Sequence, residues 1–453
     1  MNAAPKPAPV SFHEALKFWL KLGFISFGGP AGQIAIMQRE LVDEKRWISQ
    51  GRFNHALNYC MLLPGPEAQQ LATYIGWLMH RNWGGVVAGT LFVLPSLFIL
   101  IALSWVYVRF GQVPVVAGLF YGIQCAVAAI VLHAVWRIGS KSLKKPATAP
   151  VLWALAAISF IAVEFFQVPF PWIVLGAAMV GWVGAKLVPA QFAGGGGHGA
   201  SKGTHAPALI DDDTPTPAHA RYSRQGLSLL VLVGLLLWAL PMLALVAWQG
   251  WHSTLAQSGW FFTKAALLTF GGAYAVLPYV VQGAVDHYHW LSAPQMMAGL
   301  ALGETTPGPL IMVVTFVGFL AGWSKAVLGP DALFLGAALV ATVATWFTFL
   351  PSFIFILAGG PLVESTHGNV QLTAPLKAIT AAVVGVIASL ALFFIANIAQ
   401  SASAFSLFGI RIDWVATALS LAAALAFFQF KQGVIRVIVA SAVLGCVLRL
   451  LFA

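Results

Sequence analysis

The chain has 453 residues, of which 59% are hydrophobic and 8% charged, and its formal net charge is +10. Soluble domains carry about a quarter of their residues charged, so this composition excludes a water-soluble globular protein and places the chain in a lipid bilayer. Basic residues kept at the cytoplasmic ends of membrane helices account for the positive charge, and no nucleic-acid partner is expected.

At the N-terminus, Met-Asn-Ala-Ala-Pro-Lys-Pro lacks the basic region, short apolar core and small-residue cleavage site of a removable signal peptide, so the first helix is expected to stay in place. Two short apolar pieces follow, residues 16–27 before Gly28-Gly29-Pro30 and residues 53–63 before Pro64-Gly65-Pro66. A dozen helical residues reach about 18 Å, roughly half of the ~30 Å hydrocarbon layer, so these pieces are expected to be broken helices or re-entrant hairpins. Longer apolar stretches cover residues 86–108, 115–135, 151–166 and 171–188. Residues 191–224 are rich in Gly, His, Pro and Asp and hold too little apolar area to order themselves, which predicts a disordered, solvated linker. His198, His205 and His219 beside Asp211, Asp212 and Asp213 are metal-ligating types, but their low-complexity spacing favours a passive linker. Apolar residues 227–248 lead into the second half, where stretches at 332–358, 376–398, 414–428 and 434–452 bring the expected total to about ten or more membrane segments. Cys60, Cys125 and Cys446 lie scattered in apolar segments without CxxC spacing, so they read as small buried hydrophobes.

The strongest feature is internal repetition. Residues 18–66 match residues 261–309 without a gap at an offset of 243 residues, pairing Phe27 with Phe270, Trp47 with Trp290 and Pro64 with Pro307. Gly76-Trp77 then answers Gly322-Trp323, and Pro95-Ser96 answers Pro351-Ser352. This divides the chain into an N-terminal repeat (residues 1–190), a cytoplasmic linker (191–225), and an extra membrane helix with a C-terminal repeat (226–453). Arg39, Lys45, Arg46 and Arg52 of the first copy align with Gln282, Tyr288, His289 and Gln295 of the second. Because Lys and Arg bias loops toward the cytoplasm, the lost charge predicts opposite insertion of the copies, with the extra helix supplying the odd crossing. Lys141, Lys144, Lys145, Lys186, Arg221 and Arg224 place the linker in the cytoplasm. The expected fold is therefore an all-α polytopic membrane protein of two inverted-topology repeats.

Each Gly-Gly and Pro-Gly-Pro should interrupt its helix, Gly by permitting left-handed backbone and Pro by removing a donor. Helices restarting at Ala31-Gly32-Gln33, Glu67-Ala68-Gln69, Ala273-Tyr274-Ala275 and Leu310-Ile311-Met312 would turn unpaired N–H groups toward an anion. The expected substrate-binding set is Lys21, Ser26, Gly28, Gly29, Pro64, Gly65, Pro66 and Gln69 with Lys264, Thr269, Gly271, Gly272, Pro307, Gly308 and Pro309. Lys21 and Lys264 lie two turns before the paired glycines, where substrate contact and snorkelling to the interface are balanced readings. For Ser26 and Thr269 the alternative is a hydroxyl bonded to its own helix. Glu67 and Glu304 are proton-coupling candidates, since a carboxylate desolvated at membrane depth binds a proton more readily, with dipole complementation or a wet cavity as the plainer readings. Gln70, Thr73, Thr305 and Thr306 could orient a ligand or simply bond between helices. Ser49 and Ser292 read as N-caps, Glu164 ranks below the other carboxylates, and His287 and His289 beside Asp286 lack further metal ligands. No GxSxG, Walker A or HExxH pattern occurs, so no catalytic residue, cofactor or metal is assigned.

With these residues in view, the sequence resembles the bidomain members of the chromate ion transporter family. The likeness rests on KLGFISFGGPAGQIAIMQRELVDEKRWIS, LLPGPEAQQLATYIGW and FVLPS in the first half, and on LTFGGAYAVLP, WLSAPQMMAGLALGETTPGP and FLPSF in the second. The resemblance implies a bacterial inner-membrane secondary transporter that exports chromate along the electrochemical gradient and confers chromate resistance. Sulfate has nearly the same shape and charge, so an oxyanion uptake carrier is the alternative reading. A membrane-embedded chromate reductase ranks lower, because no flavin, haem or nicotinamide signature is present. The expected partners are chromate or sulfate and the lipid bilayer; a homodimer is compatible with the sequence, which does not fix the oligomeric state.

Overall fold

The computed structural model describes residues 7–143, 145–192, 207–215, 217–365, 373–399, 405–407 and 410–452; His198, His205 and Lys144 lie outside them. Helix α1 (Phe12–Ile25) opens on Ser11, whose hydroxyl accepts from the Glu14 N–H. It stops before Gly28 and Gly29, which hold φ of 87° and 67° in the left-handed region that side chains disfavour. Helix α2 (Gly29–Gln38) restarts with Pro30 in its first turn, where a missing N–H costs nothing, and passes into a π-helical turn over Arg39–Glu44. Ser49 caps α3 (Gln50–Cys60) by accepting from the Arg52 N–H. Directly after Pro64-Gly65-Pro66 comes α4 (Glu67–Phe110), which turns sharply at His80 and Arg81 where helical dihedrals are lost. The first half is completed by α5 (Pro114–Ser142), α6 (Pro150–Glu164), α7 (Phe170–Leu187) and the short α8 (Pro189–Phe192).

After α9 (Arg224–Gln249), the second half runs through α10 (Thr254–Leu268), α11 (Ala273–Val281), α12 (Ala293–Thr305), α13 (Val313–Ser324) and α14 (Leu333–Ser365). These helices repeat α1 to α4 down to single torsions. The π-helical turn recurs at Gln282–His287. Arg46 and its counterpart His289 both take positive φ, 51° and 49°. The Trp47 and Trp290 N–H groups donate to the Leu41 and Ala284 carbonyls, each at 2.8 Å. Ser292 caps α12 as Ser49 caps α3, with Gln295 closing a capping box. The chain ends with α15 (Thr373–Ala399), an antiparallel pair β1 (Phe405–Leu407) and β2 (Ile410–Ile412), then α16 (Trp414–Phe428) and α17 (Val434–Phe452).

Apart from that strand pair, the described elements are helical. Seven of them are long and apolar enough to cross a membrane, namely α4, α5, α7, α9, α14, α15 and α17; α6, α16 and residues Leu310–Ser324 are shorter apolar helices. The core is organised by two groups: α5 packs with α12, α15, α16 and α17, while α14 packs with α4, α9, α10 and α13. The helices around the breaks are tied to one another at their loop ends in each half. In the first half, His80 Nε2 and the Val10 carbonyl lie 3.0 Å apart, bringing the start of α1 to the turn in α4. In the second half, Ser324 Oγ donates to the Trp290 carbonyl and Gln249 Nε2 to the Val327 carbonyl, at 3.1 and 3.2 Å.

One expectation is corrected. The described end of the linker is docked on the first repeat rather than disordered: Ile210 bridges Ile48, Ser49 Oγ donates to Asp212 Oδ1 at 2.6 Å, and the Leu209 and Ile210 N–H groups donate to the Arg46 and Trp47 carbonyls. Ala208, Ile210 and Ala220 are buried there. Backbone pairing and a few small apolar anchors order this stretch in spite of its polar average composition.

Candidate functional site

The helix breaks of the two halves meet. The Gly308 N–H donates to the Ser26 carbonyl, and the Gly65 N–H donates to the Thr269 carbonyl, each at 2.8 Å. Gly65 pairs with Gly308 and Ser26 with Thr269 in the repeat, so the two bonds exchange under the same pseudo-twofold relation that relates the halves. Each Pro-Gly-Pro also faces the Pro-Ser of the opposite half. A Cβ on Gly308 would lie 2.8 Å from Ser96 Cβ, and one on Gly65 would collide with Ser352. Both Ser96 and Ser352 are buried. Only glycine lets the backbones approach this closely, which is the physical content of the duplicated motif.

These bonds decide which donors remain for a ligand. Proline has no N–H, and the Gly65 and Gly308 N–H groups are taken, so the N–H groups within each Pro-Gly-Pro go to holding the two halves together. Ser26 and Thr269 likewise turn their hydroxyls onto their own helices, donating to the Leu22 and Ala265 carbonyls at 2.6 Å. Thr305 and Thr306 do the same to Ala301 and Leu302. Gly28 and Gly29 differ: as the cap and first residue of α2 they carry N–H groups without intrahelical acceptors.

Gly28 and Gly29 line a small cavity together with Ile130, His133, Ala134 and Arg137 of α5, Tyr274 of α11 and Glu304 of α12. Glu304 is buried, and its carboxylate accepts a hydrogen bond from the Tyr274 hydroxyl. Of the expected site residues, the structure brings Gly28 and Gly29 of the substrate-binding set and the proton-coupling candidate Glu304 to this cavity. Gly271 and Gly272 take the expected positive φ, 80° and 96°, without lining it. Lys21 lies elsewhere, 57% exposed and paired with Glu40 at 3.0 Å. Lys264 lies 5.7 Å from the Trp260 ring, also away from the cavity. Glu67 opens α4 behind Pro66, where it complements the helix dipole. Gln69 Nε2 donates to Thr73 Oγ1 at 3.0 Å, and Gln70 Nε2 to the Pro64 carbonyl at 2.8 Å. Glu164 accepts from Ser389 Oγ at 2.6 Å.

Sequence reasoning missed three polar groups. Arg137 and His133 lie outside the repeated motifs, and their only signal is a charged and a titratable residue four apart near the end of an apolar helix. Gln33, buried in α2, donates to the Ser26 and Gly308 carbonyls and so braces the crossing between the halves. Its counterpart is Val276, so no repetition marks it.

The family model described as chromate transporter matches residues 13–182 and 256–446, which takes in both sets of breaks. A chromate transport protein of Pseudomonas aeruginosa is 37% identical over 386 residues, covering 84% of this chain and 80% of that one. A chromate transport protein of Cupriavidus metallidurans is 29% identical over 377 residues, covering 83% and 81%. An uncharacterized transporter of Bacillus subtilis is 27% identical over 172 residues, which is 96% of its own length but 38% of this chain. No solved structure matches.

Proposed function

The chain is a multi-pass membrane protein of the chromate transporter family, and from that premise we propose that it is a secondary transporter carrying chromate out of the cell across the inner membrane, so conferring chromate resistance. The observation that carries this reading is the cavity lined both by Gly28 and Gly29, at the start of a broken helix, and by a buried carboxylate from the opposite half. Chromate is a tetrahedral dianion, and the positive end of a helix with free N–H groups suits such a charge.

The repeats are read as inverted. In support, the linker gathers with the start of α1, the Arg46 loop and the turn in α4. Helix α9 has 26 residues, about 39 Å, enough to cross the layer before α10 begins. The hairpins of the two halves would then enter from opposite faces as re-entrant pairs, tips bonded at the midplane, and rocking one set against the long helices would alternate access. An inside-negative potential favours exit of anions by about 2.3 kcal/mol per charge per 100 mV, roughly 4.6 kcal/mol for a dianion. Proton coupling through Glu304 or Glu67 is thus an addition to the driving force, not a requirement.

Energised inside-out vesicles test the reading. Chromate accumulation that collapses with the potential is expected, with sulfate as competitor. No chromate accumulation, together with sulfate uptake by whole cells, would replace export by the uptake carrier.

A further inference from the structure

Arg137 makes no close ion pair among the described residues, although its charge acts on Glu304 in the same cavity. It stands five residues before the end of α5 at Ser142, in a helix apolar enough to cross a membrane, where a guanidinium is costly to hold without a partner or a task. Among the described residues the ion pairs are Lys21 with Glu40, Arg39 with Glu44 and Arg52 with Glu364, and Arg137 is in none of them. Its guanidinium carbon instead lies 5.7 Å from the centre of the Tyr274 ring. The carboxylate in the same cavity, Glu304, is held by the hydroxyl of that tyrosine. On the near side, His133 is one turn earlier on α5 with its ring stacked on Phe427 at 5.3 Å. Arg137 is the Lys or Arg side chain that lines this cavity.

We propose that Arg137 is the cation that receives the transported oxyanion. A planar guanidinium presents paired donors that fit two oxygens of a tetrahedral anion, and Gly28 and Gly29, whose N–H groups open a helix, line the same cavity. Glu304, bonded to Tyr274 in the same cavity, adds a charge that repels a dianion and restricts how it sits beside Arg137. The ligand class is a tetrahedral dianion, chromate or sulfate alike. This assignment rests on the transporter reading above and adds the residue that carries its specificity.

Binding to the purified full-length protein, followed by calorimetry and by ligand-dependent thermal stabilisation, separates the two claims. The wild-type protein is expected to bind chromate and sulfate but not nitrate, and Arg137→Gln to weaken both at least about thirtyfold, as expected when a charged partner of the bound ion is removed. Arg137→Lys keeps the charge where the Gln variant does not fold, and is expected to bind with intermediate affinity. Glu304→Gln, which removes the repelling charge, is expected to bind at least as tightly as wild type. Wild-type affinity in Arg137→Gln or Arg137→Lys sinks the assignment and leaves the transporter reading standing. A wild-type protein that binds neither dianion takes both down.

Discussion

At the scale of single residues, two glycines with similar torsions have different tasks. Gly28 and Gly308 have φ of 87° and 101°, so a side chain at either is strained by about 1–2 kcal/mol. Beyond that strain, a Cβ on Gly28 meets only Gly32 Cα at 3.8 Å, whereas one on Gly308 meets Ser96 Cβ at 2.8 Å. Gly28→Ala is therefore expected to purify as folded protein with a modest loss of thermal stability, yet to lose most chromate flux, because its methyl enters the cavity wall. Gly308→Ala should lose folded protein itself. Wild-type flux in Gly28→Ala would remove the cavity from the path. The breaks were legible because Gly and Pro write their backbone constraint into the sequence. Which breaks hold the two halves together was not, since that depends on the Gly65 and Gly308 N–H bonds to the opposite half. Arg137 was hidden for a related reason: its meaning comes from Gly28 and Glu304, distant in sequence and brought beside it only by the fold.

At the scale of elements, the docked end of the linker ties the halves together. Arg52 of α3 donates to Glu364 Oε2 of α14 at 2.6 Å and to the Thr214 carbonyl of the linker at 2.9 Å, while the Tyr74 hydroxyl of α4 donates to Glu364 Oε1 at 2.5 Å. Glu364 is buried and the Arg52 side chain is 12% exposed, so removing one partner leaves an uncompensated charge. Arg52→Gln is expected to destabilise the protein by roughly 3–5 kcal/mol, and Arg52→Gln with Glu364→Gln by clearly less, read from thermal unfolding. Docking should also depend on pH through His219, whose Nε2 lies 3.0 Å from the Trp77 carbonyl. Burial, opposed by that carbonyl and reinforced by Arg81, holds this imidazole below its ordinary 6.5. The docked linker thus binds fewer protons than the undocked one, so docking is full above about pH 6.5 and weakens as pH falls through the lowered value. Protection factors for hydrogen exchange of residues 217–224, corrected for the intrinsic pH dependence of exchange, should fall several-fold from pH 7.5 to 5.5 in wild type, and His219→Gln should abolish the change. Composition averaged over residues 191–224 concealed this docking, because three buried apolar side chains and a row of backbone bonds suffice to order a polar stretch.

At the scale of the whole molecule, two hydrogen bonds that exchange under one pseudo-twofold operation leave open where that axis lies. Along the membrane normal, both halves would share an orientation and both sets of hairpins would enter from one face. In the membrane plane, the hairpins enter from opposite faces and the cavity between their tips can open to either side by equivalent movements, which is the geometry a carrier needs. The sequence already favours the second arrangement, since Arg39, Lys45, Arg46 and Arg52 give way to Gln282, Tyr288, His289 and Gln295. Asp43 and Asp286 are aligned, identical and exposed at the loop ends of their hairpins, so they make matched reporters. With Cys60, Cys125 and Cys446 replaced by Ala, Asp43→Cys is expected to react with an impermeant maleimide only in inside-out vesicles, and Asp286→Cys only in right-side-out ones. Labelling of both from the same face would make the repeats parallel, and the symmetric rocking of hairpins against the long helices could not then alternate access.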